Sequence, residues 1–182
     1  MLMLNGFMNI DRMYIIGNVM ASENKKIKNA TPLDYKGIHF KSTLEVSIFK
    51  VLEENNLEPH YEEYTYELIS GWKPKIPFYR KNKKTKLLTL ENKKIISIKY
   101  TPDIHFIWEN YMVFIEVKGR ENDVYYLKKK LFRRFLENTY NEGNTGFLPI
   151  YAEIKSKREL LELLKILKQN YTQKTNIEDE ES

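Results

Sequence analysis

With 182 residues, 42% of them hydrophobic and 13% aromatic, the chain is long enough for one compact domain with a full core and short for two. It contains no cysteine, which excludes disulfides and thiolate zinc sites and any dependence of stability on an oxidising compartment. The formal net charge of +5 is compatible with a polyanionic partner.

Residues 1–36 are predicted to form an N-terminal extension. Its first half is rich in methionine, leucine and isoleucine, but charged residues and asparagines interrupt the apolar run. It therefore lacks the basic start and unbroken apolar core of an export signal, and no stretch of about 18 apolar residues could cross a membrane. We expect a soluble cytoplasmic protein. Three roles stay open for the extension: a packing element, a dimer arm, or a translated region upstream of a start at Met8 or Met13.

Residues 21–41 are predicted to be a connecting loop, followed by a helix from Ser42 to Asn56. The apolar residues of this helix recur at helical spacing: Leu44, Ile48, Val51 and Leu52. Glu45 has two interpretations. In the first, Ser42 and Glu45 form a capping box, in which the Glu45 carboxylate accepts a hydrogen bond from the Ser42 N–H. In the second, Glu45 points over the sheet toward acidic residues of later strands.

A strand is predicted over His60–Ile69, and Gly71 and Pro74 end its pattern. Residues 73–94 then contain nine basic residues and one acid, a charge of +8, so the rest of the chain carries −3 (5 minus 8). We interpret this segment as a basic insertion that clamps a phosphate backbone, with aromatic residues among its cations. A solvated surface hairpin explains the same composition. The lysines at its centre are Lys81, Lys83 and Lys84.

A β-hairpin is predicted next, because Ile104–Trp108 and Tyr111–Ile115 are rich in β-branched and aromatic residues with only two residues between them. If residues 109 and 110 form the turn, Trp108 lies opposite Tyr111. The two strands are apolar on both faces, which is typical of a sheet covered on both sides.

The same register places Asp103 directly opposite Glu116, and Lys118 projects from the same strand face as Glu116. Opposed carboxylates destabilise a strand pair, and a cation removes that penalty. Mg²⁺ favours one or two carboxylates, so we predict a metal site. The alternative is a solvated Glu-X-Lys face beside an ordinary Thr-Pro-Asp turn. The three histidines have no zinc-ligand spacing and are not predicted to bind metal: His39, His60 and His105.

A second helix is predicted from Asp123 to about Asn138. Its predicted core residues are Val124, Leu127, Leu131 and Phe135. Its other face carries cations that are either solvated or bound to DNA phosphates: Lys128, Lys129, Lys130, Arg133 and Arg134. A strand over Phe147–Ile154, a helix over Ser156–Asn170 and a disordered acidic tail over 171–182 complete the chain.

The predicted order is helix, three strands, helix, strand, helix, in an α/β fold with a mixed sheet. With Pro102-Asp103 and Glu116-Val117-Lys118 on two strands and Glu45 on the first helix, the sequence resembles the PD-(D/E)XK nuclease superfamily. Within it, the chain is similar to Holliday junction resolvases of the phage endonuclease I family and to small phage nucleases. The segments similar to the resolvases are 40–45, 61–63, 100–103 and 114–119, and the stretch 37–132 is similar to the small phage nucleases.

The resemblance implies a nuclease domain over 37–170 that cleaves DNA, preferably branched DNA, in a bacterial or phage-infected cell. It further implies a homodimer and a Mg²⁺ or Mn²⁺ ion. The implied ion ligands are Asp103, Glu116 and the Val117 carbonyl, with Glu45 in support, and Lys118 activates the attacking water. A nuclease for linear or single-stranded DNA, and a DNA-binding or virion protein that does not cut, stay open as alternatives.

Overall fold

A computed structural model describes residues 31–117 and 123–180. The predicted roles of residues 1–30 lie outside this range. Three helices and ten strands are present over the described residues. The helices are α1 (Thr43–Glu54), α2 (Asp123–Asn141) and α3 (Lys157–Glu180). The strands are β1 (Leu33–Tyr35), β2 (Ile38–Phe40), β3 (His60–Tyr61), β4 (Tyr66–Ile69), β5 (Tyr79–Lys81), β6 (Leu88–Leu90), β7 (Ile98–Tyr100), β8 (Ile104–Trp108), β9 (Tyr111–Val117) and β10 (Leu148–Ile154).

A four-stranded mixed sheet, ordered β10-β9-β8-β3, forms the centre of the fold. β9 and β10 are parallel and joined through α2, whereas β8 is antiparallel to both β9 and β3. The predicted mixed α/β class with three helices is confirmed. The remaining strands form separate pairs, β1 with β2, β4 with β7 and β5 with β6, which the sequence patterns did not separate.

The sheet is covered on both faces, as its apolar strands predicted. Alternate residues of β9 divide between two buried clusters, with Val113 and Ile115 in the first and Met112 and Phe114 in the second. The first cluster includes residues of α1 and α3, and the second includes residues of α2. We refer to these sides as the α1/α3 face and the α2 face. Odd-numbered side chains of β9 therefore face α1 and α3, and even-numbered ones face α2.

The predicted β8–β9 register is confirmed. Trp108 pairs with Tyr111 and Ile104 with Ile115, around the two-residue turn at 109 and 110. Glu109 has a φ of 51°, the left-handed conformation that such a tight hairpin turn requires. This short turn sets the register, and the register determines which face of the sheet each side chain of β8 and β9 occupies.

Two predictions in the first half of the chain were wrong. Part of the loop predicted over 21–41 is a hairpin, β1–β2, whose turn residues Lys36 and Gly37 have φ values of 51° and 80°. The strand predicted over His60–Ile69 is two strands, β3 and β4, in different sheets. Glu62 has a φ of 43°, which breaks the extended backbone between them.

The basic insertion contains a hairpin of its own, β5–β6. Its loop is stabilised by Asn82, whose side-chain oxygen accepts hydrogen bonds from the N–H groups of Lys84 (2.8 Å) and Thr85 (3.3 Å). Large apolar side chains beside its cations are exposed to solvent: Ile76, Phe78, Tyr79, Leu87 and Leu88. This hairpin is therefore both basic and apolar on its surface.

The predicted core stripe of α2 was wrong. Val124 and Leu127 are exposed, and the buried residues are Tyr125, Phe132 and Leu136. Leu131 and Phe135, also predicted for the core, are half-buried at the edge of this stripe. The sequence pattern favoured the aliphatic residues, whereas in the fold the aromatic residues of α2 meet those of β7, β9 and β10.

α3 is longer than predicted and continues to Glu180, into the segment expected to be disordered. Residues 171–180 contain no glycine or proline to end a helix. Over the described residues, no helix combines the length and hydrophobicity needed to span a bilayer.

Candidate functional site

Asp103 lies in a bend before β8 and contacts the end of β9. Its Oδ2 accepts a 2.7 Å hydrogen bond from the backbone N–H of Val117, and its carbonyl accepts a 2.9 Å hydrogen bond from the N–H of Glu62. The β8–β9 ladder ends one pair before Asp103 and Glu116. The two predicted acids therefore lie at the same end of the sheet, and Asp103 contacts the residue directly after Glu116.

Glu116 is 5% exposed and shares the α2 face of β9 with Phe114. Its Oε2 accepts a hydrogen bond from the hydroxyl of Tyr100, the last residue of β7. A buried carboxylate is costly without such partners, so Tyr100 both stabilises Glu116 and fixes its orientation.

Two more tyrosines connect this site to a second glutamate. The Tyr151 hydroxyl oxygen lies 2.9 Å from that of Tyr100 and 3.0 Å from that of Tyr125. The Tyr125 hydroxyl donates to Oε1 of Glu153, whose Oε2 lies 2.6 Å from Nζ of Lys129. The result is a continuous polar chain between the sheet and α2.

The ends of this chain, Glu116 and Glu153, are register partners on β9 and β10. Four oxygen-to-oxygen contacts join them, but the three tyrosines supply only three protons. With both glutamates ionised, Tyr151 can donate to only one neighbouring tyrosine. Burial, and then the negative charge of Glu116, raise the pKa of Tyr100 and of Tyr151, and burial followed by the hydrogen bond to Glu153 raises that of Tyr125. All three hydroxyls therefore stay protonated near neutral pH.

The sequence patterns did not predict this tyrosine chain. Tyr151 and Glu153 are two residues apart on one strand, which places them on the same face, and that was the available signal. Tyr100 and Tyr125 come from other elements, and only the tertiary structure brings them to this face.

Glu45 belongs to α1, the helix that packs on the α1/α3 face of the sheet. It is buried, and its Oε2 accepts hydrogen bonds from the Lys41 N–H (2.9 Å) and the Tyr61 hydroxyl (2.6 Å). Tyr61 packs against the cluster on the α1/α3 face. Ser42 Oγ accepts a 3.2 Å hydrogen bond from the Glu45 N–H, so half of the predicted capping box is present. The reciprocal bond goes to Lys41 instead of Ser42.

The donor set at the acid pair fits Mg²⁺. Asp103 and Glu116 offer carboxylate oxygens and Val117 a carbonyl oxygen, and hard oxygen ligands with one or two carboxylates are what Mg²⁺ takes from proteins. Glu45 hydrogen-bonds Lys41 and Tyr61, and its support of the ion stays a prediction. Lys118, predicted to activate water, lies outside the described residues.

The predicted DNA-binding cations fall on two elements. Lys81, Lys83 and Lys84 are exposed on the β5–β6 hairpin. On α2, Lys130, Arg133 and Arg134 are exposed, whereas Lys128 and Lys129 are half-buried. Lys129 is ion-paired with Glu153, and Arg134 lies 3.4 Å from Glu137.

Two histidines predicted not to bind metal are brought together with a glutamate. His60 on β3 and His105 on β8 are register partners with stacked rings, and their nitrogens lie 3.1 and 3.4 Å from Oε2 of Glu63. Burial, and then the charge of His60, lower the pKa of His105 to about 4, so its imidazole is neutral at pH 7. One imidazole nitrogen of each histidine and one carboxylate oxygen of Glu63 all lie within 4.8 Å of one another, close enough to bind one metal ion. Sequence spacing could not reveal it, because the pairing of β3 with β8 creates it.

Comparisons with protein-family models, with curated proteins and with solved structures find no match to this chain.

Proposed function

We propose that this protein is a metal-dependent DNA endonuclease of the PD-(D/E)XK type that hydrolyses phosphodiester bonds in branched DNA. The observation that supports it most is the acid pair at the end of the sheet. Asp103 contacts Val117 beside Glu116, which is almost fully buried and is oriented by Tyr100. A carboxylate kept in such a position at the cost of desolvation is typical of a functional site.

In the proposed mechanism, Asp103, Glu116 and the Val117 carbonyl would hold the ion, and Glu45 would support it. Bound Mg²⁺ would supply a Lewis acid for the charge that grows on the scissile phosphate. Lys118, which follows Glu116 on the same predicted strand face, orients the attacking water and assists its deprotonation. Tyr100 maintains the orientation of Glu116, and Glu45 positions Tyr61 and the start of α1.

The exposed basic hairpin supports DNA as the partner. Its lysines would contact phosphates, and its exposed aromatic side chains, Phe78 and Tyr79, could stack on unpaired bases near a branch point. A homodimer would offer two acid pairs, one for each strand to be cut. A DNA-binding or virion protein that does not cleave would use the same hairpin, and its DNA affinity would be indifferent to Mg²⁺.

Cleavage of a labelled four-way junction and of a matched linear duplex, with Mg²⁺ or EDTA, tests the proposal. We expect Mg²⁺-dependent cutting of the junction by the wild type and none by Asp103→Asn, because the variant loses one ion-binding carboxylate. Equal cutting of both substrates would retain the nuclease and reject the branched substrate. DNA binding without any cleavage would favour the non-catalytic alternative.

Charge reversal of Lys81, Lys83 and Lys84 to glutamate should weaken DNA binding and reduce its salt dependence. Each lost phosphate contact lowers the slope of log affinity against log salt by about one, so we expect a decrease of about three. The measurement is fluorescence anisotropy over a salt series. The matched control reverses three exposed cations of α3, Lys157, Arg158 and Lys165. An equal loss in both variants would attribute the effect to net charge and contradict the clamp.

A further inference from the structure

The histidine pair on β3 and β8 forms a ligand set distinct from the acid pair. Oε2 of Glu63 lies 3.1 Å from Nδ1 of His60 and 3.4 Å from Nε2 of His105. Bond lengths of about 2.0–2.1 Å around a tetrahedral Zn²⁺ imply neighbouring ligand atoms about 3.3 Å apart. The two nitrogen-to-oxygen separations are therefore close to the spacing of neighbouring ligand atoms around a zinc ion.

We propose that His60, Glu63 and His105 bind Zn²⁺ or a similar first-row transition ion. Two imidazole nitrogens and one carboxylate oxygen are a common zinc ligand set, and three protein ligands leave the fourth position for water. Mg²⁺ requires oxygen ligands in near-octahedral geometry, so it would not compete here. None of the three residues belongs to the acid pair, and the proposal does not depend on nuclease activity.

The surroundings of the three side chains suit a site with one fixed ligand and two adjustable ones. His105 is 7% exposed, and its ring contacts those of Tyr64 and Phe114 at centroid distances of 5.1 and 6.2 Å. His60 and Glu63 are exposed at the edge strand, where a cation can approach from solvent. The two imidazole rings are stacked within 15° of parallel, so the exposed His60 has to rotate to direct its lone pair at an ion shared with His105.

A bound ion would tie a short edge strand to its neighbour. β3 has only two residues, and Glu62, between His60 and Glu63 in the chain, donates its N–H to the Asp103 carbonyl. A ligand that binds only the folded state raises its stability. We therefore expect Zn²⁺ to raise the thermal unfolding midpoint of the wild type and not that of His60→Ala.

Zn²⁺ binding to the tag-free full chain by isothermal titration calorimetry tests the site directly. We expect one ion per chain in the wild type and at least about 100-fold weaker binding in His60→Ala and in Glu63→Gln, since even outer-shell partners of zinc ligands are worth about 10–100-fold. Excess Mg²⁺ should not displace the ion. The matched control is His39→Ala, because His39 forms a comparable contact of 2.6 Å with Asp34 but has no second histidine there.

Glu116→Gln provides the second control, since it alters the acid pair and leaves the histidine cluster intact. Retention of Zn²⁺ in His39→Ala and Glu116→Gln, with loss in the two cluster variants, would support the site. Zn²⁺ binding that persists in His60→Ala and Glu63→Gln, or that disappears in Glu116→Gln, would place the ion elsewhere and overturn it. If Zn²⁺ does not bind to the wild type, the proposal is overturned and the contacts of Glu63 with the two histidines are ion pairs only.

Discussion

Glu116→Gln should lower the rate of Mg²⁺-dependent DNA cleavage by about 1000-fold or more. Metal-ion catalysis contributes several kcal/mol to the transition state, and each loss of about 1.4 kcal/mol slows the reaction tenfold. Glutamine has nearly the same shape and its amide oxygen can accept the hydrogen bond of Tyr100, so the fold should be retained. The measurement is the single-turnover cleavage rate at saturating enzyme.

Glu153→Gln is the matched control for Glu116→Gln. The two glutamates are register partners on adjacent strands. Each accepts a hydrogen bond from a tyrosine, Glu116 from Tyr100 and Glu153 from Tyr125. Glu153 is also ion-paired with Lys129, whereas Glu116 directly precedes Val117, whose N–H donates to Asp103. We expect the cleavage rate of the control to stay within about tenfold of the wild-type rate. About tenfold is the smallest usual effect of changing a residue that contacts a metal ligand and not the metal. Equal losses in the two variants would contradict the assignment of the site to Glu116.

Phe132→Ala should destabilise the protein by about 3–5 kcal/mol, the usual range for removing a buried phenylalanine. Phe132 is fully buried on α2, and its ring contacts five others on the α2 face. The neighbouring rings are those of Tyr66, Tyr100, Phe114, Phe135 and Tyr151, at centroid distances of 5.4, 4.7, 5.4, 6.2 and 5.5 Å. The cavity would therefore open beside two tyrosines of the polar chain. The free energy of unfolding in urea is the quantity to measure.

Leu127→Ala on the same helix is the control for Phe132→Ala. Leu127 was predicted to belong to the core but is 55% exposed, so its truncation should change stability by no more than about 0.5 kcal/mol. The opposite result would be a stability loss of several kcal/mol for Leu127→Ala and a small loss for Phe132→Ala. It would support the core stripe predicted from the sequence and contradict the burial of Phe132.

Local sequence signals determined several parts of this protein. The two-residue turn at 109 and 110 sets the β8–β9 register, since a hairpin loop of that length allows one pairing. Ser42 determines the start of α1 because its hydroxyl meets an otherwise unpaired N–H of the first turn. The apolar strands predicted a sheet covered on both faces, and both clusters are present. In each case, the interaction is between residues close in the chain or repeats with a fixed period.

Features that depend on contacts between distant segments were decided only by the tertiary structure. The chain from Glu116 to Glu153 requires residues of β7, α2 and β10 to meet on one face, and the histidine cluster requires the pairing of β3 with β8. The sequence left two interpretations for Glu45, a capping box and a position over the sheet, and in the fold its carboxylate accepts a hydrogen bond from Tyr61 on β3. Side-chain type and spacing specify which face a residue occupies within its own element. They do not specify which other element will cover that face, because that choice depends on the packing of the whole chain.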